Sequence, residues 1–215
     1  MMYQTAAFHL AVNPATHLPP NMRALLFFVS IALLVFARAA DPKPAPLTMT
    51  FYIANVQNDR DVAAIKDSLQ RVKSVTDVVG LTASSGWANI SWDAHVKGTQ
   101  ELAQAIADAK PSGSVKFEPT MKLRVPDYAK GDNAAKIDAI FARNDHFVTV
   151  EALNRETGVF LIRFLPLKPD PASLGKPQGW SGKFFNHPIH DAPPAGLGLA
   201  VSFVREVAPK PPVQK

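Results

Sequence analysis

One stretch of this chain occurs twice, and the repeat limits the fold more than any other feature. Residues 48–92 align without a gap on residues 120–164 at an offset of 72 residues. Nine aligned positions are identical, among them Thr48/Thr120, Met49/Met121, Ile65/Ile137, Arg71/Arg143, Gly86/Gly158 and Ile90/Ile162. Others keep their character, as in Phe51/Leu123, Ile53/Val125, Leu69/Phe141, Val75/Phe147 and Trp92/Phe164. A period of this length marks a duplicated supersecondary unit.

Each copy has the periodicities of a mixed fold. In the first, Leu47 to Val56 alternates like a half-buried strand. Asn58, Asp59 and Asp61 offer helix N-caps. Val62, Ile65, Leu69 and Val72 then form a single apolar stripe. A strand over 76–81 and the turn Ala83-Ser-Ser-Gly86 lead to a third strand, whose Ala88, Ile90 and Trp92 share one face. A second helix is predicted over 99–110, stopped by Pro111 and Gly113, and a short fourth strand over 114–118. The order β-α-β-β-α-β over residues 47–119 is that of a ferredoxin-like sandwich. The second copy, residues 120–207, repeats the strand, the helix (133–143) and the hairpin (147–165), with Asn154 to Gly158 as its turn. It then diverges. Pro166, Pro169, Pro171 and Pro177 replace the second helix with a proline-rich aromatic loop. Regular structure resumes at about 197–207 as a closing strand. The expected fold class is α+β, two tandem ferredoxin-like units. Around Pro119 the fourth strand runs into the first strand of the second copy. Rigid coupling and a sharp corner between separate sheets both fit the sequence.

Residues 22–40 read as a secretory signal peptide: Arg23, an uncharged apolar run from Ala24 to Ala37, and small residues giving cleavage near Ala39/Ala40. Met22 is the expected start, residues 1–21 a mis-called extension, 41–46 a proline-rich leader and 208–215 a mobile tail. The expected location is secreted or periplasmic, with no membrane span in the mature chain. Net charge is +5, and removing Arg23 and Arg38 with the leader lowers it to +3. That weak basicity, with no aromatic-studded basic patch, argues against nucleic acid as a partner. Cysteine is absent, which excludes disulfides, thiolate metal sites and a cysteine nucleophile.

In element order, spacing and apolar pattern the first unit resembles the heavy-metal-associated domain family, the small βαββαβ carriers of copper and zinc. The resemblance covers residues 47–119 in full and 120–207 in part. The family's Met-x-Cys-x-x-Cys loop lies between the first strand and first helix. Here Asn58 and Asp61 take the two cysteine positions, and Val56 that of the methionine. In the second copy these positions are Lys130, Asn133 and Tyr128. Both loops are therefore degenerate and cannot hold a soft ion in the family's way. Asn58 and Asp61 are expected to cap helices instead.

Two other places carry candidate chemistry. His187, His190 and Asp191 form the one histidine cluster, with donors suited to zinc or copper(II). Pro188 argues against a helix there, and further ligands would have to come from residues such as His95 or His146. Trp180, Phe184 and Phe185 stand in the proline-rich segment. They either cover the sheet face left bare by the missing helix or line a groove for a ligand or partner. No phosphate loop, nucleophile elbow or acid/base pair of carboxylates is present, so no enzyme is expected. The expected function is non-catalytic binding of an unknown partner or small ligand, with no cofactor. The alternative is a metal-binding protein using the histidine and carboxylate ligands of 187–191.

Overall fold

The computed structural model describes residues 45–168 and 170–207. Within them, seven antiparallel strands and four α-helices make up the architecture. The strands are β1 (Leu47–Ala54), β2 (Val75–Val79), β3 (Trp87–Trp92), β4 (Glu118–Arg124), β5 (Val148–Asn154), β6 (Val159–Phe164) and β7 (Ser202–Phe203). The helices are α1 (Asp59–Gln70), α2 (Thr99–Ala107), α3 (Asn133–Ala142) and α4 (Lys183–His190). The sheet is continuous, in the order β2-β3-β1-β4-β6-β5, with β7 pairing with β4.

Alternation along the strands fixes which face is covered. Phe51, Ile53, Ala88, Ile90, Trp92, Met121, Leu123, Phe160 and Ile162 are all buried, as the period of two requires. The helices bury Val62, Ile65 and Leu69 of α1, Leu102 and Ile106 of α2, Ile137 and Phe141 of α3, and Phe185 and Ile189 of α4 against them. One core cluster runs through both copies of the repeat. Helix α1 starts at Asn58, whose side chain accepts the N–H groups of Arg60 and Asp61. Helix α2 starts at Gly98, whose N–H is accepted by the Glu101 carboxylate at 2.6 Å.

Three sequence expectations are corrected. The expected fourth strand over 114–118 does not form before Glu118; a single strand, β4, runs from Glu118 into the first strand of the second copy, so the 119/120 boundary falls inside an element. Pairing on both edges holds β4 straight: Tyr52 faces Thr120 and Ile53 faces Pro119 on the β1 side, and Thr120 faces Arg163 on the β6 side. The proline-rich loop of the second copy contains a helix, α4, from Lys183 to His190, with Pro188 inside it. Pro188 costs the helix the one N–H that would bond the Phe184 carbonyl, and burial of the flanking Phe185 and Ile189 offsets that loss. The stripe Phe185 and Ile189 pulls α4 onto the core, with Phe185 centred 4.9 Å from Phe141 of α3. The expected closing strand over 197–207 shrinks to Ser202–Phe203.

Beyond β7 the chain continues as a polar strap across the face of the sheet that the helices leave open. Val204 N–H donates to Lys122 C=O and Glu206 N–H to Thr50 Oγ1, while Asn89 Nδ2 donates to Glu206 C=O. Tyr52 donates its hydroxyl proton to Glu206 at 2.7 Å. Burial and that carboxylate push the phenol's pKa well above its ordinary range. The signal-peptide, leader and tail assignments fall mostly or wholly outside the described residues.

Candidate functional site

The β4–β6 ladder ends where its continuation would meet a proline on each strand, Pro119 on one and Pro166 on the other. Its last pair is Thr120 and Arg163. Val125 N–H bonds Gly158 C=O on the β6 side, while Lys122 C=O accepts from Val204 on the opposite side. Backbone groups alternate along a strand, so Pro119, like Val125, turns toward β6. On the partner strand Leu165 N–H bonds Phe147 in the direction of β5, so Phe164 turns toward β4. Continued in register, the ladder would need an N–H from Pro119 for the Phe164 carbonyl and one from Pro166 for the Phe117 carbonyl. Neither proline has one. The strands part, and a cleft of about 470 Å³ opens between them.

Helix α2 forms one wall of this cleft through Ala103, Gln104 and Ala107, and the other walls are Phe117, Pro119, Phe164, Leu165 and Pro166. Four charged residues line it as well: Asp108, Lys116, Glu118 and Arg163. Arg163 leans on Glu151, with Nη2 at 3.3 Å, and lies 4.0 Å from Glu118. The Gln104 side-chain oxygen accepts the Leu167 N–H at 2.9 Å, which holds the segment after β6 against α2. Small-molecule sites commonly occupy about 300–1,000 Å³, mostly apolar with a few convergent polar groups. This cleft has that size, with a more polar lining.

The residues singled out in the sequence lie elsewhere. Trp180 and Phe185 are fully buried. Trp180 packs on Phe164, Phe185 and Phe203 with ring centroids 5.8, 5.1 and 6.2 Å away. Its indole Nε1 is buried without a hydrogen-bond partner. Phe184 alone is surface-accessible, at 44%. The three therefore do not line a common groove: helical spacing turns Phe185 inward and leaves Phe184 facing out. Covering the sheet is the reading the burial supports.

His187 Nδ1 lies 3.1 Å from the Asp191 carboxylate, one helical turn on, and His190 is exposed. Among the described residues no group of three or more His, Asp or Glu side chains is placed to hold a metal ion. His146 stacks on Phe147 at 3.9 Å, beside the same shallow surface as His187.

The degenerate loops are occupied by their own structure. Asp61 is buried and accepts the backbone N–H groups of Gln57 at 2.9 Å and Ser112 at 2.7 Å. These donors hold its carboxyl below the usual carboxylate range. Asn58 is the cap of α1. In the second copy Asn133 Nδ2 donates to the Asp127 carbonyl and Lys130 pairs with Asp127. Tyr128 fills the space beneath that loop, 2% exposed and 4.8 Å from Phe160, with its hydroxyl held between Asp138 and Arg155.

Sequence reasoning missed the cleft because its walls come from three separated segments, each ordinary by itself. The available signal was Pro119 at the junction of the copies and Pro166 after the second hairpin. Compared with known proteins, the chain matches no family model and no curated protein.

Proposed function

We propose that the protein is a non-catalytic binding protein, secreted or periplasmic, which holds a small ligand or a partner's segment in the cleft between β4 and β6. The observation that carries this reading is the cleft itself: about 470 Å³, lined by apolar side chains together with Asp108, Lys116, Glu118 and Arg163. The scaffold is taken as two tandem ferredoxin-like halves. The order β2-β3-β1-β4 with α1 and α2 supports this for the first half. The second half supports it through β5-β6-β4-β7 with α3 and α4. On this reading the degenerate heavy-metal-associated loops serve structure, Asn58 capping α1 and Lys130 and Asn133 bonding Asp127, and the cleft at the shared strand takes over as the place where something binds. Localisation follows from the leader in the sequence. No described helix is long and apolar enough to cross a membrane.

The test is a thermal-shift screen of a fragment library against the full chain and against Ala107→Trp, which fills the cleft from α2. Fragments that stabilise the wild type and lose that effect in the variant support the reading. A library that stabilises neither, or both equally, contradicts it.

A further inference from the structure

Strand β4 has two edges, and each is paired over only part of its length. On one edge it pairs with β1 through Glu118, Pro119 and Thr120, and then with β7 through Leu123 and Arg124. Between these two partners β1 and β4 diverge, and β7 with Val204 takes the place beside β4 before the chain crosses the sheet face over Thr50 and Asn89. That segment enters by offering backbone N–H groups: Val204 to the Lys122 carbonyl and Glu206 to Thr50 Oγ1. On the other edge β4 pairs with β6 from Thr120 to Arg124. The divergence before Thr120 is the cleft, with no segment of the described chain in it.

The two openings share their chemistry. At the filled one, a carbonyl of β4 takes an N–H from an extended strand. At the open one, the register continued past Thr120 and Arg163 would set the Phe164 and Phe117 carbonyls against Pro119 and Pro166, which have no N–H to give. Extended peptide is the ligand class that supplies N–H donors along a line at strand spacing. The apolar walls, Ala103, Ala107 and Phe117 among them, suit small apolar side chains.

We propose that the cleft binds an extended peptide segment, which adds to the sheet between β4 and β6 by donating backbone N–H groups to the carbonyls that Pro119 and Pro166 leave without ladder partners. This names the ligand class of the site under "Proposed function" and depends on that assignment. Recognition is mainly through the backbone and therefore tolerant of sequence. It requires free N–H groups at neighbouring residues of the peptide, one facing β4 and the next facing β6.

The experiment is a titration of the ¹⁵N-labelled full chain with the capped tetrapeptide acetyl-Ala-Val-Ala-Val-amide, and with the same peptide N-methylated at its two central, neighbouring residues. The proposal expects saturable amide shifts at Phe117, Glu118, Phe164 and Leu165, and at least tenfold weaker binding of the N-methylated peptide. Pro119→Val restores the missing N–H and lets the ladder close, so it should weaken peptide binding at least tenfold. Its ¹⁵N spectrum shows whether it folds, and Ala107→Trp supplies a second block from the helix side. Equal binding of the two peptides overturns the proposal, as does retention of binding in a folded Pro119→Val and in Ala107→Trp. If fragments bind the cleft and the tetrapeptide does not, the peptide assignment falls and the binding function stands. If neither binds, both fall.

Discussion

The Gln100 side chain and the Trp180 backbone hold each other in a closed pair. Gln100 Oε1 accepts the Trp180 N–H at 2.8 Å, and the Gln100 backbone N–H donates to the Trp180 carbonyl at 3.1 Å. The amide's Nε2 reaches the Phe147 and Leu165 carbonyls at 3.3 and 2.8 Å. One buried side chain from the first copy thus fixes two strand ends and the inserted segment of the second. Replacing it with leucine would leave these groups buried without partners, at about 1–3 kcal/mol each. Gln100→Leu is expected to lower the midpoint of denaturant unfolding without changing the slope. An unchanged midpoint would mean that the segment is held by its apolar contacts alone.

The two aromatic positions Trp180 and Phe184 should respond very differently. Trp180→Ala empties a fully buried site, and such truncations cost about 3–5 kcal/mol. Phe184 is 44% exposed, and its truncation should stay within about 1 kcal/mol. Equal losses at the two positions would contradict the inward placement of one ring and the outward placement of the other.

The repeated turn glycines, Gly86 and Gly158, have similar backbone angles, φ +61° and +62°. Their surroundings differ. A Cβ at Gly86 would meet nothing closer than the Ile53 carbonyl oxygen at 3.7 Å, while one at Gly158 would collide with the Val125 carbonyl. Gly86→Ala should cost about 1–2 kcal/mol for the left-handed backbone alone. Gly158→Ala should cost clearly more, because the last β4–β6 bond must also give way. Calorimetry of the two variants decides whether the difference exists.

Acid stability should carry the signature of Asp61. Its folded pKa lies below the unfolded value of about 3.9, so its contribution is fully present above that value. The contribution is lost as pH falls through the folded value. Asp61→Asn is therefore expected to be less stable than wild type at pH 7, with the gap narrowing below about pH 4. A gap that stays constant down to pH 2 would remove Asp61 from the acid response.

Much of the scaffold was legible in the sequence. The stripe Val62, Ile65, Leu69 and the alternation Ala88, Ile90, Trp92 are local patterns set by helix and strand geometry, and both bury as read. The turn at Gly86 needs a positive φ, and glycine supplies it. What stayed hidden depends on tertiary context. Four prolines in the second copy outweighed the Phe185 and Ile189 spacing, although Pro188 is tolerated in the last turn of α4. The cleft arises from a register that sets Pro119 against Phe164 and Phe117 against Pro166, and single-strand patterns do not contain a register between segments more than forty residues apart.

The central claim, that binding belongs to the cleft beside β4, is tested most directly by mapping where a bound molecule sits. Amide shifts of the ¹⁵N-labelled full chain should be followed with the stabilising fragments from the thermal screen. Binding in the cleft predicts saturable shifts at Ala103, Ala107, Phe117 and Arg163, and their disappearance in Ala107→Trp. Shifts gathered instead around Phe147, Phe184 and His187, with the cleft amides unmoved, would contradict it.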